Sequence, residues 1–205
     1  MSSETVDIES IEPKLSLDGV AIPPGVGERM ARLYGVDERP ETAADWMAVS
    51  RAELAETHGR QPTVADLCTS SDGAHTFVGD EESQSYVCVL DPLAYPFLTD
   101  ETGTVRSETP VREAEVNFEI GHEQVAVTPE TAVVSLGISD HVDAVETVTF
   151  ETVYRHVCGY IHAFEDEAEY EQWAADVEAA TTSLPAEEGI AVAREIALTL
   201  FDTGR

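Results

Sequence analysis

Tyr86-Val-Cys88-Val-Leu-Asp91-Pro92-Leu-Ala-Tyr95-Pro-Phe97 changes character half-way along. Its first residues continue the apolar, β-branched run SYVCV, and its later ones read as helical. The switch matters because Cys88 and Asp91 stand three residues apart. In a regular strand they would face opposite ways, whereas one helical turn sets them on the same side. A working thiol and carboxylate pair therefore requires a strand-to-helix transition near Cys88. Pro92 is tolerated in a first helical turn, although it disfavours α geometry for Asp91 before it. The plainer alternative makes Cys88 a small buried hydrophobe and Asp91 the cap of a turn.

Upstream, AHTFVGD and SYVCV flank the turn-rich DEESQ, which predicts a hairpin. Downstream, VREAEVNFEI alternates polar and apolar residues, and EQVAV and AVVSLGI are short β-branched runs. VCGYIHAF is a further strand candidate, with Cys158, Tyr160 and His162 on one face. Two helices close the chain: YEQWAADVEAA, with Trp173 and Val177 on one side, and PAEEGIAVAREIALTLF, which opens with proline and acidic residues. Strands first and helices last give an α+β class, a mixed or antiparallel sheet covered by helices.

Further out lies a small N-terminal helical segment over 21–66. One helix is expected near Val26 to Tyr34, closed by Gly35. A second runs from about Thr42 to His58, with Trp46, Met47, Val49 and Leu54 as apolar positions and Gly59 as its stop. Residues 1–20 are polar and read as a loosely held leader, leaving 67–205 as the α+β core. Trp46 and Trp173 are expected in the core, and Tyr95 and Phe97 either wall a pocket or pack on the sheet.

The chain has 205 residues, 41 acidic against 11 basic, and a net charge of -30; Lys14 is its one lysine. Binding nucleic acid or anionic lipid rests on Lys and Arg neutralising phosphate, so neither partner is expected. The carboxylates run from Glu4 to Asp202 rather than forming a tail, which points to a halophilic surface in concentrated salt. No apolar run is long enough to span a bilayer and the N-terminus lacks a signal-peptide pattern, so a cytoplasmic protein is expected. Cys68, Cys88 and Cys158 are too few and too scattered for a disulfide framework, and reduced thiols follow.

CVLDPLAYP resembles the Cys-x-x-Asp block of the organomercurial (alkylmercury) lyases, and VCGYIHAF resembles the block around their second catalytic cysteine. TGTVRSETPVREAEVNFEI is similar to the family's strand pair, and EDEAEYEQWAADVEAA with EGIAVAREIA to its C-terminal helices. The resemblance covers roughly Gly73 to Leu200 and implies cleavage of a carbon-mercury bond. It makes Cys88 and Cys158 the thiols that hold the substrate's mercury and Asp91 the acid and base beside them. Mercury is soft and prefers sulfur, and a buried Asp near thiols should have a raised pKa suited to a proton shuttle. No resident cofactor is implied; external low-molecular-weight thiols or a mercury-accepting reductase would take the Hg(II). Tyr160 and His162 could orient Cys158. The chain departs from the family pattern in having no recognisable wing in 21–66 and a glycine at 159, where some members carry another cysteine. Cys68 has no family position and reads as packing or as a mercury relay. A non-enzymatic binder of Hg(II) or Cu(I), or a thiol redox protein, would use the same cysteines.

Overall fold

The computed structural model describes residues 4–7, 17–80, 83–122, 124–142 and 147–201. Every strand pairing in it is antiparallel. Six strands form one sheet in the order β1-β6-β5-β4-β2-β3. They are β1 (Glu4–Asp7), β2 (His75–Val78), β3 (Ser83–Tyr86), β4 (Gly103–Glu108), β5 (Glu115–Ile120) and β6 (Gln124–Thr128). The expected hairpin is β2 with β3, and its tip at 81–82 lies outside the described residues. Phe77, Val105, Phe118 and Val127 fall in one register row across four strands, and all are buried. That row shows the period-two pattern of a sheet with one covered face.

A second sheet, β8-β7-β9, comprises β7 (Val133–Ser139), β8 (Ala163–Phe164) and β9 (Ala179–Pro185). Every residue of β7 is buried, Ser135 and Ser139 included, as in a central strand covered on both faces. Among the described residues there are six α-helices: α1 (Pro24–Tyr34), α2 (Ala43–His58), α3 (Leu90–Thr99), α4 (Phe150–His156), α5 (Glu167–Asp176) and α6 (Ala186–Thr199). Helix α3 packs on β2, β3 and β4 and on α6, and α6 packs in turn on β7 and β9. The two helices therefore link the large sheet to the small one.

The N-terminal helices start and stop where their cap residues stand. Thr42 and Asp45 form a reciprocal capping box for α2, and Gly35 and Gly59 end α1 and α2 in the left-handed conformation. Val26, Met30, Leu33, Trp46 and Met47 join the same buried cluster as Phe118 and Ile190, so these helices share the core of the sheets.

Three expectations are corrected. Glu4–Asp7, inside the expected loose leader, pairs with β6, whose outer edge offers unpaired backbone groups. Residues 8–16 of that leader lie outside the described residues. The helix expected over 170–180 runs instead over Glu167–Asp176, capped by Asp166, and Ala179 onward is β9. Thr181 and Thr182 suit a strand, and pairing with Ser139 and Ile138 outweighs the helix preference of Ala179 and Ala180. VCGYIHAF is not a strand: only Ala163–Phe164 pairs with β7. Trp173 is half-buried in a small side cluster with Phe164 and Tyr170, whereas Trp46 is in the main core.

Candidate active site

Beyond Tyr86 the chain leaves the ladder, bends through Val87 and Cys88, and enters α3 at Leu90. The strand-to-helix transition required of a Cys88 and Asp91 pair is present, and Asp91 lies in the first helical turn. The Val89 N–H donates to Ile161 O at 3.1 Å, tying this transition to the segment that follows Cys158.

Cys158 reaches the same place by another route. Helix α4 is started by a capping box between Thr149 and Thr152, ends at His156, and passes into a 3-10 turn over Cys158–Tyr160. Tyr160 N–H to Val157 O and Ile161 N–H to Cys158 O close that turn. Ser135 of β7 holds the turn with backbone and side chain: its N–H donates to His162 O at 2.9 Å, and its hydroxyl accepts from His162 N–H at 2.9 Å and donates to Tyr160 O at 3.0 Å. A Cβ at Gly137 would collide with Tyr160, so glycine lets the turn lie on β7.

His162 holds the turn from behind. Its Nε2 lies 2.9 Å from Gly159 O, and a carbonyl only accepts, so Nε2 carries the proton. Nδ1 is then the acceptor for His75 Nε2–H at 3.3 Å. Burial lowers both pKa values, that of His75 well below the ordinary imidazole range, so both rings are neutral near pH 7.

The third element is one that sequence patterning left unassigned. Cys68–Ser70 runs along the outer edge of β3: Val87 N–H donates to Cys68 O at 3.1 Å and Ser70 N–H to Ser85 O at 2.9 Å. The Cys68 N–H donates to Asp91 Oδ2 at 2.7 Å, and Cys68 Sγ lies 2.9 Å from Cys158 Sγ. Ligand atoms of Cys68, Asp91 and Cys158 all fall within 4.8 Å of one another. The tight cluster thus contains Cys68 in the place expected for Cys88, and Cys88 lines the same cavity beside it. All three cysteines are free thiols.

The cluster is electrostatically self-opposing. Hydrogen bonding with Cys68 and then Cys88, followed by burial and nearby negative charge, pushes the Cys158 thiol well above its ordinary pKa. For Cys68 the hydrogen bond with Cys158 favours thiolate, but burial and the charges of Asp91 and Cys88 outweigh it and the thiol is raised. Burial raises Asp91 to about 6, against the hydrogen bonds from Cys68 that favour its carboxylate. Near neutral pH the Cys68 and Cys158 thiols are therefore protonated, beside a weakly basic carboxylate.

These groups form part of the wall of a cavity of about 90 Å³ that is otherwise largely apolar. Trp46, Met47 and Leu54 of α2 close one side, and Ile196, Leu200 and Phe201 another. The N-terminal helices thereby cover the site. Tyr34, the last residue of α1, places its hydroxyl in the wall, where it accepts from Ser50 Oγ at 2.8 Å and from Trp46 Nε1 at 3.3 Å. Tyr95 and Phe97 do not line the cavity; Tyr95 packs its ring 4.9 Å from that of Phe77 on the sheet.

The alkylmercury lyase family model matches residues 68–198, more than half of the sequence, and includes all three cysteines and Asp91. The chain belongs to the alkylmercury lyase family. Among solved structures, the mercury-bound form of MerB2 aligns over 94% of this chain and 96% of its own, with a TM-score of 0.50 and 12% identity. At that identity the likeness shows the fold. A search of curated proteins gave no match. As a member of this family the protein is an enzyme, a lyase acting on carbon-mercury bonds. The structure also accommodates one family variation: a Cβ at Gly159 would meet nothing within 4 Å, so a side chain is sterically permitted after Cys158.

Proposed function

We propose that Cys88 and Cys158 take the mercury of an R–Hg⁺ substrate and that Asp91 moves the proton. The observation that carries this assignment is the convergence of Asp91 and the thiols on one largely apolar cavity. Sulfur is the preferred ligand of a soft metal, and an apolar wall suits the organic group. Asp91, at about 6, is mostly carboxylate at neutral pH yet can hold a proton without great cost.

As the first S–Hg bond forms, the metal acidifies the thiol and its proton passes to Asp91. The second thiol then adds to mercury and loses its own proton to solvent. Two thiolates push electron density toward the carbon, the Hg–C bond breaks with its electron pair on carbon, and Asp91 returns its proton there. The balance is R–Hg⁺ with two thiols giving R–H, a bis-thiolate Hg(II) and one H⁺, with no change of oxidation state. A cavity of about 90 Å³ suits a short alkyl group; a cavity of about 150 Å³ is the size that takes a benzene ring.

Low-molecular-weight thiols or a mercury-accepting reductase would remove the product, with no resident cofactor. The net charge of -30 supports a halophilic setting and argues against nucleic acid or an anionic membrane as partner. Among the described residues no helix is long and apolar enough to cross a membrane, and a cytoplasmic location is part of the same proposal. The test is incubation of the purified protein with methylmercury and a small thiol in concentrated salt. Methane in the headspace and Hg(II) in the thiol fraction are expected; binding without methane would leave a soft-metal binder.

A further inference from the structure

We infer that Cys68 is a third mercury ligand, the one through which the Hg(II) product leaves the two buried thiolates. This rests on the lyase reading and adds a residue to it. Cys68 lines the same cavity and its sulfur sits 2.9 Å from that of Cys158. Its backbone is pinned on both sides, by N–H to Asp91 Oδ2 at 2.7 Å and by O from Val87 N–H at 3.1 Å. These backbone ties fix where the side chain starts, and a cysteine that merely filled space would not need its sulfur in contact with a thiol that binds substrate.

Exposure gives the direction of transfer. Cys88 and Cys158 are 3% and 5% exposed, whereas Cys68 is only partly buried, so it is the cysteine of the three most open to solvent. Spacing favours a three-sulfur state. With metal–sulfur bonds of about 2.3 Å, two ligands of a linear ion stand about 4.6 Å apart and two of a trigonal ion about 4.0 Å apart. The Cys68 and Cys158 sulfurs need less separation to reach the trigonal arrangement, and a change of χ1 rotamer supplies a shift of that size.

The exchange balances without an oxidant. Once R–H has left, Asp91 is a carboxylate hydrogen-bonded to Cys68. As Cys68 Sγ bonds to Hg(II), its proton passes to Asp91, and mercury becomes three-coordinate. A Hg–S bond to one buried cysteine then breaks, and that thiolate takes the proton back. Two external thiols repeat the exchange at the exposed side, each giving its proton to the cysteine thiolate it displaces, and carry Hg(II) away as a bis-thiolate.

The test loads wild-type protein and Cys68→Ser with one equivalent of inorganic Hg(II) and counts sulfur neighbours by X-ray absorption, with Cys68→Ala as a second variant. Three sulfurs are expected in wild type and two in either variant. Methylmercury turnover by the variants at limiting external thiol should fall about tenfold and recover as thiol is raised. Equal sulfur counts in wild type and both variants would overturn the inference, as would a turnover loss that external thiol does not restore. If wild type yields no methane the lyase reading fails, while the sulfur count still decides the role of Cys68 as a ligand.

Discussion

The backbone N–H of Cys68 donates to Asp91 Oδ2 at 2.7 Å across 23 residues of sequence. This bond joins the edge of the large sheet to the first turn of α3 and fixes the carboxylate against the thiols. Burial outweighs the hydrogen bonding from Cys68, and the carboxyl is held at about 6.

Asp91→Asn should stabilise the substrate-free protein while abolishing the reaction. In the unfolded chain Asp91 ionises near 3.8, in the folded one near 6. Between those values the folded state binds more protons, so the stability contributed by Asp91 is complete below 3.8 and is lost as pH rises toward 6. A shift of this size is worth at most about 3 kcal/mol. The stability difference between Asp91→Asn and wild type, read from denaturant midpoints at several pH values, should grow from pH 4 to 6 and then level. Methane release by the variant should fall by at least about a hundredfold, since no general acid or base remains.

The pH dependence of wild-type turnover follows from the same group. The free enzyme needs Asp91 as carboxylate to accept the first thiol proton, so kcat/KM should rise with pH through about 6. A profile flat from pH 5 to 7.5 would rule out that role.

Two glycines beside Cys158 should behave oppositely. A Cβ at Gly137 would meet Tyr160 and Thr181 inside ordinary contact distance, one at Gly159 would meet nothing within 4 Å. Gly137→Ala should therefore cost about 1–3 kcal/mol by overpacking and slow the reaction by displacing the Cys158 turn. Gly159→Ala should change stability by less than about 0.5 kcal/mol. Thermal melts of the two variants in the same salt check the contrast.

What could be read from the sequence was what local chemistry determines. The transition at Cys88 followed from the need to bring two side chains three apart to one side, and the ends of α1 and α2 from Gly35 and Gly59. Cys158 was placed in the right block but on the wrong element. Alternation in VCGYIHAF imitates a strand, while a 3-10 turn held by Ser135 and His162 is what forms. Cys68 carried no local signal: its partners are 23 and 90 residues away, and only the pairing of 68–70 with β3 brings them together. The cover provided by α1 and α2 was hidden for the same reason, because Tyr34 and Trp46 reach the cavity only through packing.

Tyr34→Phe tests that cover. The Tyr34 hydroxyl accepts from both Ser50 and Trp46 in a buried wall, and its loss leaves two donors without an acceptor. A cost of about 1–3 kcal/mol is expected in denaturant titrations. Adding Ser50→Ala to Tyr34→Phe should recover part of it, because one orphaned donor is removed.

Serine substitutions separate the roles of the buried thiols. A hydroxyl is a hard, weakly acidic ligand, so Cys88→Ser or Cys158→Ser removes one of the two thiolates proposed to hold the substrate's mercury during carbon protonation. Both variants should lose methane release by at least about a hundredfold in single turnover. Their Hg(II) binding should nevertheless differ. Cys88→Ser retains the Cys68 and Cys158 pair, whose sulfurs are already 2.9 Å apart, whereas Cys158→Ser removes one sulfur of that pair. Competition with a chromophoric chelator should therefore show Hg(II) held more weakly by Cys158→Ser than by Cys88→Ser. The reverse order would mean that Cys88, and not Cys158, is the centre of the thiol cluster.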